Sequence, residues 1–265
     1  MKEIKYFTSL ILFTTILLCC CDSKKSNNGP ISSKDTTKQV IKNSTSPIVN
    51  NNKVLDFDGH EYSTVKIGNQ IWISENVKAI HFLNGDEIYE AKSMKDWYTF
   101  FINKKPCYKK VGKNIIYNGF VVADKRPLLS SDFTIPSQKD FFSLRNFLGK
   151  SPDIKLASYS WSEMIDPDND KIIKGNNNSG FNAIKSKYIS AHFGDIYQEN
   201  QLSESDVEDL AWFWTQTKTI NKDCSGYTGN CFEAVMIGSW GGMTCDDPGD
   251  IPVNYCYGLQ IRVKK

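Results

Sequence analysis

From Val54 onward, apolar positions fall in short runs at strand or helix spacing. Tyr62 to Ile67 (YSTVKI) alternates in period two, Gly68-Asn69 interrupts, and Gln70 to Ser74 (QIWIS) resumes. A two-residue break with Gly first predicts a tight hairpin with a type I′ or II′ turn and one apolar face around Trp72. The clearest helix follows Pro136. Ser137 and Asp140 stand at capping-box spacing, and Phe141, Leu144 and Leu148 recur at i, i+3 and i+7, with Phe147 widening the stripe. Gly149 supplies the stop. Further helices are predicted over Ser93–Ile102 and, acid-rich at its start, over Ser203–Trp212. Strands are predicted over Phe232–Gly238 and Tyr257–Lys264, the latter turning Leu259, Ile261 and Val263 inward, and Lys171 to Gly180 ends in an Asn/Gly loop. The whole reads as α+β, with short strands and much irregular connection.

Before Val54 the pattern is different. A head carrying Lys2 and Lys5 leads into an apolar and hydroxyl run from Tyr6 to Leu18, then Cys19, Cys20, Cys21 and Asp22. That order is an export signal, and its apolar run is shorter than the ~20 residues a membrane-spanning helix needs. The ending Leu18-Cys19-Cys20-Cys21 resembles the lipobox of bacterial lipoproteins, with Cys21 the best fit for lipidation and Cys20 the alternative; an ordinary cleaved secretory signal is the plainer reading. Residues 1–20 are thus expected to be a lipoprotein signal peptide and 21–53 a lipidated tether, with the folded domain over 54–265. The tether is rich in Ser, Asn, Lys and Thr and too poor in apolar residues to offset its ordering entropy. About 30 such residues span on the order of 30 Å. The formal net charge is only +2, with Lys and Arg dispersed, which leaves no electrostatic footprint for nucleic acid. Membrane attachment should therefore come from acyl chains, at ~0.8 kcal/mol per buried CH₂.

Several segments of the folded part match a known pattern in order: Asp56 to Val77 (DFDGHEYSTVKIGNQIWISENV), Asn84 to Ile88 (NGDEI) followed by Trp97, Gly112 to Val122, Ser179 to Ala183 (SGFNA), Trp212 to Thr217 (WFWTQT) and Gly258 to Val263 (GLQIRV). Together they resemble the Fibrobacter succinogenes major paralogous domain. The resemblance implies a C-type-lectin-like architecture of short antiparallel sheets, two or three helices, long loops and buried tryptophans, in an exported protein held at the bacterial cell envelope, in the outer membrane. Leu129 and Val263 stand where the family pattern has cysteines. If those pair in relatives, the resemblance implies an apolar Leu129–Val263 contact here in place of a buried disulfide.

Candidate chemistry is sparse. Of eight cysteines, Cys107, Cys224, Cys231, Cys245 and Cys256 fall in the domain. The last four allow three pairings, which spacing does not choose between. We adopt Cys224–Cys231 and Cys245–Cys256, each closing a short loop worth about 2–3 kcal/mol, with Cys107 left over. No C-x₂-C pair or neighbouring His favours zinc. Asp166, Asp168 and Asp170 cluster oxygen ligands suited to calcium, against the simpler reading of a solvated turn, and the loop lacks the glycine and distal Glu of an EF-hand. His60, His81 and His192 sit in no nucleophile or base motif, so no catalytic residue is assigned. Trp240 among glycines, Trp214 and Asp246 are the candidate ligand-binding residues, though a tryptophan in a family motif is more often core. The expectation is a non-enzymatic envelope domain binding a glycan or a surface protein through the loops between Ser203 and Asn254. A carbohydrate-active or formylglycine-generating-like enzyme is the alternative.

Overall fold

In the computed structural model the described residues are 49–130, 132–166, 169–191, 199–205, 210–219, 231–239, 242–244 and 252–265. All belong to one unit, Ser44–Lys265. It is a mixed α/β fold of several small, mainly antiparallel sheets and few helices.

Strands β1 (Val49–Leu55), β2 (Glu61–Ile67) and β3 (Gln70–Ile73) form an antiparallel meander. β1 thus begins inside the stretch assigned to the tether. The predicted hairpin is present: Ile67 pairs with Gln70, and Gly68 takes φ +60° while Asn69 does not, the type II′ pattern. The single apolar face is not what the structure shows. Successive β2 and β3 side chains enter two different cores, Tyr62 and Ile73 in one, Val65, Ile67 and Trp72 in the other, so the sheet is covered on both sides.

Next, β4 (Tyr89–Glu90) runs parallel to β5 (Cys107–Val111), with helix α1 (Met94–Ile102) crossing between them and β6 (Asn114–Tyr117) completing the sheet. Ser93 caps α1 through a capping box with Asp96. After the short α2 (Gly119–Ala123) comes α3 (Gln138–Leu148), capped as the sequence predicts by Ser137 and Asp140 and ended by Gly149 at φ +65°. Phe141 and Leu144 are buried, but Phe147 is 60% exposed, its ring lying over the Gly68 turn, so the apolar stripe is narrower than its composition suggests. Helix α4 (Pro152–Leu156) follows, then the hairpin β7 (Met164–Ile165) and β8 (Ile172–Ile173).

Where the sequence predicts a helix over Ser203–Trp212, the described residues at both ends of that stretch are strands. β9 (Ile189–Ala191) pairs with β10 (Leu202–Glu204), and β11 (Leu210–Lys218) is a long strand against β12 (Phe232–Gly238), which also pairs with β13 (Gly242–Thr244) and β14 (Pro252–Val253). In β11, Ala211 and Phe213 enter one core and Trp212 and Trp214 the other. Apolar residues on both faces erase the polarity alternation that would have marked a strand, and the acidic start imitates a helix's first turn.

Nor does Tyr257–Lys264 form one strand. Leu259, Ile261 and Val263 are buried as expected, yet the segment makes single bridges to several elements in turn: Gly258 to Ile189, Leu259 to Tyr117, Gln260 to Phe213, and Lys264 to Trp72 and Thr134. Arg262 is fully buried in this thread. Its Nε donates to Asn76 Oδ1 at 2.8 Å, and its Nη atoms donate to the carbonyls of Ile73, Phe181 and Asn182 at 2.9, 2.7 and 2.9 Å. The guanidinium also lies 4.4 Å over the Phe181 ring. Burial pulls its pKa down to about 9, still above neutrality, so its charge is held by carbonyl dipoles and a ring face rather than by a carboxylate in contact. Asn76, Phe181 and Arg262 come from three separate family-like motifs, and here they form one structural knot. Leu129 and Val263 lie in the same core cluster.

Candidate ligand-binding cleft

Of the residues singled out by sequence, Trp214 is corrected first. It is fully buried, its Nε1 donating to the Tyr117 carbonyl at 2.7 Å, and it offers no face to a ligand. Cys256 is a buried free thiol, so the Cys245–Cys256 pairing fails; its sulfur sits in the core beneath α1, whose Trp97 Nε1 donates to the Cys256 carbonyl. Cys107 is likewise free and buried. Burial pushes both thiols well above the ordinary range. Cys231 is in a disulfide whose partner is outside the described residues. Cys21, Cys224, Cys245, Trp240, Asp246 and Asp168 also lie outside them.

The Asp166–Asp170 segment closes the β7–β8 hairpin. Asp166 N donates to the Lys171 carbonyl, Asp170 N to the Asp166 carbonyl, and Asn169 Nδ2 to Asp166 Oδ2 at 2.8 Å. Asp170 takes the left-handed region at φ +56° and is exposed. Among the described residues of this segment these are turn hydrogen bonds.

A different polar set gathers after β1. Asp56, Asp58 and His60 place one ligand atom each within 4.8 Å of one another, a donor set a divalent cation can take. Every carboxylate oxygen in it already has a partner within the protein. Asp56 Oδ1 accepts from His60 N at 2.9 Å, and its Oδ2 accepts from Tyr62 Oη at 2.6 Å and lies 3.1 Å from His60 Nδ1. Asp58 Oδ2 accepts from the amides of Ile80 and His81, and its Oδ1 lies 2.6 Å from His81 Nδ1. Burial alone would raise the Asp58 pKa, but the His81 and backbone hydrogen bonds outweigh it and the net shift is downward. As it stands, the cluster fastens the 80–81 loop to the end of β1.

Among the described residues a cleft of about 390 Å³ lies between α2, the 124–128 loop, the 133–135 segment and β11. Its floor is apolar, with Val121, Leu128, Phe133 and Val263 all under a tenth exposed. Polar groups stand on the rim. Arg126 is locked there: Nε and Nη2 donate to Asp124 at 2.9 and 2.5 Å, Nη1 donates to Asp86 at 2.7 Å, and the guanidinium stacks 4.0 Å from the Phe82 ring. The Arg126 hydrogen bonds hold the Asp86 and Asp124 carboxyls below the usual range. Lys125, Thr134 and Gln216 complete the rim, all three exposed. A wet polar rim over an apolar floor suits a small ligand with an apolar face and several hydroxyls.

No local signal in the sequence marks this cleft. Its residues come from separate segments, and A-D-K-R-P around Arg126 reads as ordinary loop. No curated protein and no solved structure matches the chain. The sequence model of the family described as the Fibrobacter succinogenes major domain matches residues 65–263, about three quarters of the chain.

Proposed function

Because the chain belongs to the Fibrobacter succinogenes major domain family, a membership that brings no activity with it, we propose a function from the cleft and the N-terminal segment. The protein is exported, lipidated at Cys21 and held at the bacterial cell envelope, in the outer membrane. Its folded domain, C-type-lectin-like in architecture, binds a glycan there without transforming it. A surface protein is the other occupant the envelope offers. The observation that carries this reading is the cleft itself: an apolar floor on which a sugar's C–H face can rest, beneath a rim of Lys125, Thr134 and Gln216 that can meet hydroxyls.

The enzymatic alternative finds less support. The Arg126–Asp124–Asp86 assembly neutralises its carboxylates, whereas a glycosidase needs one carboxyl kept protonated beside another left free. The buried thiols of Cys107 and Cys256 are poor nucleophiles, which weighs against a formylglycine-type chemistry. The test is a glycan array with the purified protein and a Thr134→Val, Gln216→Ala variant, followed by product analysis on any hit. Binding that the variant loses, with the glycan recovered intact, supports the proposal. Release of a shortened or modified product would overturn it.

A further inference from the structure

Arg126 lines a second concavity besides the cleft. This second hollow, of about 390 Å³, is bounded by Asp86, Glu87, Tyr89, Lys105, Pro106 and the same Arg126. Arg126 is therefore common to the linings of both hollows, held rigid by three charge-assisted hydrogen bonds and the Phe82 ring against which it stacks. The two hollows differ in kind. The first has the apolar floor; the second carries a half-buried Tyr89 ring, stacked on Phe100 at 5.2 Å and with the Lys105 ammonium 5.7 Å over its centroid, and Glu87 lies exposed in the same lining. Across both, acids and bases balance: Asp86, Glu87 and Asp124 against Lys105, Lys125 and Arg126. A polyanion would meet three carboxylates there, so the charge pattern suits an uncharged ligand.

We propose that the two hollows are consecutive subsites for one neutral, linear oligosaccharide that passes Arg126, the residue both share, with one sugar over the Phe133 floor and a later one beside Tyr89 and Lys105. This rests on the glycan-binding reading of the cleft and adds to it a second subsite and a charge class. Two linked sites gain from effective concentration, so affinity should climb with chain length until both are filled.

The experiment is calorimetric titration of the full mature protein with uncharged β-1,4-linked gluco-, xylo- and manno-oligosaccharides of one to six units. Wild type is compared with Lys105→Ala plus Glu87→Ala, both exposed positions whose loss leaves the fold intact, and with Thr134→Val plus Gln216→Ala in the first hollow. Affinity rising with length, with the Lys105/Glu87 variant losing roughly three- to tenfold for long chains and nothing for single sugars, is the expected result. Equal affinity for short and long chains, lost only in the Thr134/Gln216 variant, overturns the two-subsite inference and leaves the binding cleft standing. Absence of binding across the panel overturns both.

Discussion

Replacing Arg262 by methionine tests whether the knot described above holds the domain together. Methionine keeps the buried stem and removes the guanidinium, leaving the carbonyls of Ile73, Phe181 and Asn182 and the Asn76 side chain without their donor. Each orphaned buried group costs about 1–3 kcal/mol. Against that, the charge no longer has to be desolvated, which returns several kcal/mol. The net loss should be about 3–5 kcal/mol, within reach of the whole stability of a domain this size. Arg262→Lys should recover little, because a single ammonium cannot reach acceptors that lie on several sides of a planar fork. Urea unfolding followed by tryptophan fluorescence reads the change directly, the midpoint falling with little change in slope. If Arg262→Met loses under about 1 kcal/mol, the carbonyls find other donors and the reasoning is wrong.

Asp153 is fully buried, and burial raises its pKa above 3.8 although the amides of Asp153 and Ile154 pull the other way. The folded state therefore holds that proton more tightly than the unfolded one, so stability from this site is full below the unfolded pKa and is lost as pH rises through the folded value. Asp153→Asn should flatten that loss and raise the melting temperature at pH 7, as a pH series of thermal melts would show. Ser137→Ala removes the side-chain cap of α3 and should lower stability by about 1 kcal/mol in the same urea assay. Cys107 and Cys256 should resist a disulfide-exchange reagent in the native protein and react once urea unfolds it, and prompt native reaction at either would contradict their burial.

Local devices were readable from the sequence, while long-range ones left no trace in it. The Gly68 hairpin and the two capped helices rest on residues within a few positions of each other, and each is present. β11 does not read as a strand because Trp212, Phe213 and Trp214 are covered on both faces, so its polarity carries no period. The site candidates failed differently. Trp214 looked like a platform and is core, because an indole N–H with a carbonyl to meet is as easily satisfied inside as outside. Arg126 has one partner nearby, Asp124, but the others that fix it, Asp86 and Phe82, are about forty positions away. A cleft assembled from such separate segments has no spacing to read.

The 257–265 thread bears on how this protein is made. Its bridges reach back to Trp72, Tyr117, Thr134 and Ile189, so the earlier sheets lack their common seam until synthesis has passed residue 265. Contacts so distant in sequence close slowly. Under the proposed export that lateness is protective: the chain stays loose enough for a translocation channel and locks only once residues 257–265 have arrived to bridge the earlier elements.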